Sequence, residues 1–217
     1  LKTNARAKRV NFRISPREGL IVTVPKRFRL QHLPGILAEH RRWIETQLSR
    51  IDLSAQQTLP LEVNLPALSQ TFPLRYQEQL GRLCLSILSD GELLMKGPIS
   101  LDGVRRLLHR WLKLQAENVL TPWTQALSQA TGLTYSTVRF RDQQTRWGSC
   151  NTEGAINLNY KLLFLPAELA KHIILHELCH TEEMNHGARF WRLVSRFDPN
   201  WQHHRRQVKT AMKFVPA

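Results

Sequence analysis

The strongest constraint in the chain is His176-Glu177-Leu178-Cys179-His180, an H-E-x-x-H pattern inside the run from residue 165 to 191. Residues four apart on an α-helix lie on one face, so both imidazoles can reach a single metal ion. Glu177 projects from the same turn, where a carboxylate can hold a water beside the metal and take its proton. The surroundings predict a helix. Pro166 suits a first helical turn, because its missing N–H would be unpaired there anyway. From Glu168 to Glu183 there is neither Gly nor Pro, and Leu169, Ile173 and Ile174 supply an apolar stripe. A histidine pair on a helix is by itself an ordinary surface feature, so a third ligand is needed to make it a metal site.

A catalytic zinc site takes three protein ligands and keeps one position open for water. Residues 184–217 contain no Glu, which leaves His186, Asp198, His203 and His204 as downstream candidates. Geometry favours His186. In an unbroken helix it would stand ~9 Å beyond residue 180 and about 240° round the axis, on the wrong face. The helix must therefore stop between the two. Asn185 tolerates the left-handed conformation that ends helices, and Gly187 follows closely.

Neighbouring residues have assigned expectations. His172 would make three helical ligands in a row, which suits a tetrahedral site poorly, so it is expected to face solvent or sit behind the ligands. Arg146 is a candidate for steadying an oxyanion or a substrate carboxylate, or for a structural hydrogen bond to the following loop. Cys179 points off the ligand face and is expected to be buried. Glu182, Glu183 and Asp198 are candidates for bonding the second nitrogen of a ligand histidine, which fixes the ring and raises its basicity.

These residues, with Asn185-His186 and Arg189-Phe190-Trp191, resemble the core of the YgjP-like metallopeptidases. Arg146-Trp147-Gly148-Ser149-Cys150 and the run from Gly154 to Asn159 are similar to a second signature of that family. The resemblance implies a zincin-like core, Zn2+ as cofactor, His176, His180 and His186 as metal ligands, and Glu177 as the base. Thr181 stands where an apolar residue is expected and Gly187 where a small hydroxyl is expected; neither change touches a ligand. SprT-like and WLM proteases, which act on proteins bound to DNA, share a similar compact zinc core.

Composition sets the outer limits. At 217 residues the chain can form one large domain or two small ones. Three cysteines with no C-x-x-C pair argue against a disulfide framework and for a reducing compartment, with the cytoplasm expected. No apolar run is long enough to span a bilayer and no signal-peptide core is present, so no membrane association is expected. The net charge of +14 is uneven. Residues 1–50 carry twelve Lys/Arg against three Glu, whereas residues 51–140 carry eight against seven acids. Such asymmetry marks the N-terminal portion as a candidate surface for nucleic acid, set against a generally basic solvated surface.

Along the chain, Val10, Phe12 and Ile14 alternate with polar residues, and Leu20, Val22 and Val24 do so again beyond the turn residues Ser15 to Gly19. This period of two predicts a hairpin with an arginine-rich outer face carrying Arg9 and Arg13, extended by Arg17. A helix is expected from Pro34 to Ile51, then an extended connector over 52–70 with an edge strand at Leu61–Leu65. Phe72, Leu74 and Tyr76 predict a strand that Pro73 pushes to an edge. A hairpin turns at Asp90-Gly91. A long helix over 103–130 is expected to be capped by Asp102, kinked or split at Pro122 and ended by Gly132. Thr134–Arg141 and Ala155–Lys161 are expected strands, and the resemblance to metalloproteases implies that the latter edges the cleft and pairs with an extended substrate. Asn157 and Asn159 either serve that edge or end the strand. A short helix carries Phe190, Trp191, Val194 and Phe197, and Asp198 is expected to cap a last one.

The expected fold is α+β: an N-terminal β-rich portion with a helix and connector over 1–70, then a zincin-like metallohydrolase domain over 71–217. The expected function is zinc-dependent hydrolysis of a protein or peptide substrate. The alternatives are a nucleic-acid-binding protein with a structural metal, and a protease recruited to DNA-bound proteins. A structural site should show a fourth protein ligand.

Overall fold

The computed structural model describes residues 1–15, 19–48, 58–212 and 215. The chain divides into two compact units, Leu1–Leu59 and Pro60–Pro216. Both mix strands with helices, an α+β architecture.

In the first unit, β1 (Lys2–Asn4), β2 (Asn11–Ser15) and β3 (Gly19–Pro25) form a sheet in the order β1-β3-β2. The alternation holds on β2, where Arg13 is exposed between half-buried Phe12 and Ile14, but not throughout β3, where neighbouring Ile21 and Val22 are both buried, with Val24, and Leu20 is half-buried. Arg9 precedes the strand instead of sharing its polar face, and the turn residues 16–18, including Arg17, lie outside the described residues. One expected helix is two, α1 (Leu33–Glu39) and α2 (Arg41–Leu48). The break is at His40, whose ring packs on Phe12 at 4.9 Å and bonds through Nδ1 to the Ile36 carbonyl. Its ψ of 5° ends α1 there. Residues 49–57, which include Ile51 and the start of the connector expected over 52–70, lie outside the described residues.

The second unit opens with β4 (Glu62–Leu65), β5 (Gln70–Glu78), β6 (Cys84–Ile87) and β7 (Leu93–Gly97), in the order β4-β5-β7-β6. Pro73 does not make β5 an edge strand. The pairing of β5 with β7 begins only at Leu74, so no ladder bond asks for the N–H that Pro73 lacks. The β6–β7 hairpin turns at Gly91, as expected.

Helix α3 (Leu101–Thr131) buries Val104, Leu108, Leu112, Ala116, Leu120 and Thr124, a row at four-residue spacing. Its cap is Ser100, whose hydroxyl accepts from the Gly103 N–H at 3.2 Å; Asp102 sits in the first turn instead. Pro122 does not split the helix. It is exposed, as is Asn118, so solvent can take the carbonyl that loses its partner. Gly132 ends the helix at φ 75°, where a side chain would be strained.

A second sheet contains β8 (Thr137–Arg141), β9 (Gly148–Cys150) and β10 (Ala155–Asn159), in the order β8-β10-β9. Strand β10 is therefore central, not the cleft edge. Its partners are β8 in parallel and β9 antiparallel, which leaves β9 with an open side among the described residues. Three helices complete the unit: α4 (Ala167–Cys179), α5 (Ala188–Phe197) and α6 (Trp201–Ala211). Helix α4 packs against α3, α5, α6, β9 and β10. It is buried on nearly every side, a wider face than the apolar stripe suggested. Among the described residues no helix is long and apolar enough to cross a membrane.

Candidate metal centre

His176 lies in the last turn of α4 and His180 is its C-cap. The helix stops where the ligand geometry required it to stop, but not by the expected route. No left-handed residue ends it: Gly187 has φ −80°, and Asn185 is not among the residues of positive φ. Instead the chain closes in tight turns, with Thr181 N–H donating to Leu178 and both Glu182 and Glu183 N–H donating to Cys179. The return brings His186 back over the helix end. Its Nε2 stands 3.0 Å from His176 Nε2 and 3.2 Å from His180 Nε2.

Three convergent imidazole nitrogens fit a metal cation. Tetrahedral zinc with Zn–N bonds of about 2.0–2.1 Å spaces its nitrogens by about 3.3–3.4 Å, close to the separations seen. The tautomer agrees at one ring. His180 Nδ1–H donates to the Glu183 carbonyl at 3.0 Å, so its Nε2 presents a lone pair to the other two. Neutral rings meeting lone pair to lone pair repel unless a cation lies between them. Burial, foremost, and the crowding of His180, His186, His172 and Arg205, which disfavours a further positive charge, push His176 down to about 3, the neutral form that a metal ligand needs. Among the described residues no fourth His, Cys, Asp or Glu joins the three.

Aromatic rings hold this geometry. Phe190, fully buried on α5, stacks on His180 at 4.4 Å and meets His176 and His186 edge-on at 4.8 Å each. Trp191 stacks on His186, and its Nε1–H donates to the His186 carbonyl at 3.1 Å. Both were expected only to pack a short helix. Their adjacency to His186 in sequence is the signal that could have tied them to it.

Glu177 is 6% exposed and lies beside β9. Burial raises its carboxyl to about 8 against the opposing pull of the Arg146 guanidinium. Gly148 makes room for it, since a Cβ there would stand 2.6 Å from Glu177 Oε1. Asn159 secures this neighbourhood. Its buried amide donates to the Gln143 and Arg146 carbonyls, and its Oδ1 accepts from the Lys161 N–H. It ends the strand and ties down the loop leading to β9.

The remaining residues fall elsewhere. His172 is buried, not solvent-facing, and its Nδ1–H donates to Asp198 Oδ2 at 2.6 Å. His204 donates to the same oxygen at 2.9 Å, while Asp198 Oδ1 accepts from the Asn200 N–H. Asp198 thus serves neither as partner of a ligand histidine nor as the N-cap of α6, which is Asn200. Burial alone would raise the Asp198 carboxyl, but the hydrogen bonds and charges of His204 and His172 outweigh it and hold it below the usual range. Glu183 contributes its carbonyl and not its carboxylate, His203 stays outside the group, and Cys179 is fully buried as expected.

A family described as YgjP-like, metallopeptidase domain, matches residues 8–211. The chain belongs to the YgjP-like metallopeptidase family. The YgjP-like match covers both units, and it makes this a metal-dependent peptidase domain in the broad sense. No curated protein matches it significantly. Among solved structures, the metallopeptidase zymogen abylysin of Pyrococcus abyssi is similar over 44% of this chain and 96% of its own, with 23% identity and a TM-score of 0.40.

Proposed function

We propose that this YgjP-like protein is a zinc peptidase in which His176, His180 and His186 hold the metal and Glu177 is the general base. The observation that carries the reading is the convergence of three imidazole Nε2 atoms next to a buried carboxyl group on the same helical turn. Bound there, Zn2+ supplies a Lewis acid that polarises the scissile carbonyl and lowers the pKa of water to about 7. Glu177 takes the proton of the attacking water and passes it to the leaving amine. Burial raises the Glu177 carboxyl, and the charge of a bound cation beside it would lower it again toward the ionised form that a base needs. The three-residue set also favours catalysis over a structural metal, which takes four protein ligands.

Strand β9 supports a peptide substrate. Asn159 N–H donates to Trp147 and Asn151 N–H to Ala155, which fixes the register of the β9–β10 ladder. Bonded and non-bonded pairs alternate in an antiparallel ladder, so Gly148 and Cys150 turn their N–H and C=O to the open side. An extended substrate backbone would pair there, next to Glu177, rather than along β10. Nucleic acid remains supported by charge alone, with Arg9 and Arg13 exposed in the first unit. The three free cysteines, one exposed, fit the reducing cytoplasm expected from their spacing.

The test is Glu177→Gln. It should keep its metal by elemental analysis and its fold by circular dichroism, yet lose about 100- to 10,000-fold in hydrolysis of casein, with chelator as control. Undiminished activity in the variant would sink the mechanism. Loss of the metal would make Glu177 structural.

A further inference from the structure

At the turn that follows His180 lies an open groove of about 530 Å³, lined by residues of opposite charge. One wall is α5, which presents Arg189, Arg192 and Arg196. All three are exposed, and the helix contains no acidic residue. The facing wall carries Glu182 and Glu183, in the turn whose carbonyl orients His180. Glu183 thus belongs to both, lining the groove and holding His180 through its carbonyl.

The arginines are hardly engaged within the fold. Arg189 reaches Glu183 only at 4.0 Å, and Arg196 lies over the Phe197 ring. Among the described residues neither Arg192 nor Arg196 forms an ion pair with a carboxylate. Three guanidinium groups on one helical face cost the fold repulsion, and α5 offers no carboxylate partner to offset it. Their removal from water would be compensated by a ligand that brings carboxylates of its own.

Spacing identifies the ligand. Side chains three or four apart on a helix are separated by about 5–6 Å at Cβ. On an extended peptide, alternate side chains share one side and recur every ~7 Å. Acidic side chains at alternate positions therefore meet successive arginines. The same peptide carries backbone N–H groups that can donate to Glu182 and Glu183. A sugar–phosphate backbone has no such donors.

We propose that this groove binds an extended segment of the substrate bearing Glu or Asp at alternate positions, so that Arg189, Arg192 and Arg196 select acidic polypeptides for the adjacent centre. The inference rests on reading that centre as a peptidase, and it fixes the substrate class.

The test measures binding apart from cleavage. Fluorescein-labelled peptides of three Ala-Glu repeats and three Ala-Gln repeats, and a labelled six-nucleotide oligothymidine, are titrated into the full wild-type chain by fluorescence anisotropy. Each probe is then recovered and checked for cleavage by mass spectrometry. The Ala-Glu peptide should bind at least about tenfold more tightly than the Ala-Gln peptide, as charged hydrogen bonds imply. Arg192→Gln/Arg196→Gln should abolish that preference, and Arg192→Glu/Arg196→Glu should reverse it. Circular dichroism checks that both exposed double variants stay folded. Equal affinity for the two peptides, a preference that survives in both variants, or tighter binding of the oligothymidine would overturn the proposal. An Ala-Glu peptide bound selectively but recovered intact supports the groove and counts against hydrolysis alone.

Discussion

Gly148 on β9 and Glu177 on α4 are in direct contact, and a side chain at residue 148 would require the Glu177 carboxyl group to shift. A Cβ at residue 148 would lie 2.6 Å from Oε1, 2.7 Å from Cγ and 2.8 Å from Cδ of Glu177. The carboxyl group is thus held from β9 by backbone, at the end of the strand whose open side is assigned to the substrate. This gives a physical reason for glycine in the Arg146–Cys150 segment.

Gly148→Ala should push the Glu177 carboxyl group from its position without touching an imidazole. A displacement of about 1 Å at a catalytic group costs on the order of a hundredfold in rate. We expect that loss in kcat with metal content unchanged. Equal kcat in the variant would show that Glu177 can move aside and still act, against the tight placement seen.

His186→Ala should reduce metal affinity as severely as His180→Ala, because both nitrogens converge on the same point and no fourth residue among the described residues replaces either. Elemental analysis after dialysis reads this directly. Full occupancy in His186→Ala alone would reject it as a ligand.

Asp198→Asn should destabilise the fold by about 2–3 kcal/mol near neutrality, because two imidazole N–H groups lose a charged acceptor in a buried site. The sign of the pH effect follows from the depressed Asp198 carboxyl. Its contribution is full above the ordinary carboxylate value of about 3.9 and is lost as pH falls through the lower folded value. The gap in Tm between wild type and variant should therefore be widest near neutrality and close on acidification below about pH 4. A gap that stays constant down to pH 2 would remove the charge from the explanation.

Much of the second unit could be read locally. The four-residue spacing of His176 and His180 put both rings on one face. The position of His186 then demanded that α4 stop, whatever residue did the stopping. Asp90-Gly91 and Gly132 ended their elements where turn chemistry said they would. These features depend on a few bonded neighbours, and a helix or turn repeats its geometry at fixed intervals along the chain. The left-handed end expected at Asn185 failed for a local reason too, since backbone bonds from Thr181, Glu182 and Glu183 already satisfied the last carbonyls.

Sequence alone thus determined the histidines, their shared face and the break that follows them, because local periodicity encodes all three. Tertiary structure decided what surrounds them. Whether β10 is an edge depends on β9 and β8 arriving on its two sides, and nothing within Ala155–Asn159 carries that information. His172, Asp198 and His204 look like separate polar residues until α4, α5 and α6 pack, and burial then obliges each imidazole N–H to find a partner, which both find in Asp198. Gly148 meets Glu177 across 29 residues of chain, and Phe190 lies against all three imidazoles from a different helix. Such contacts have no period in the sequence, because close packing and polar satisfaction are settled only when the elements meet.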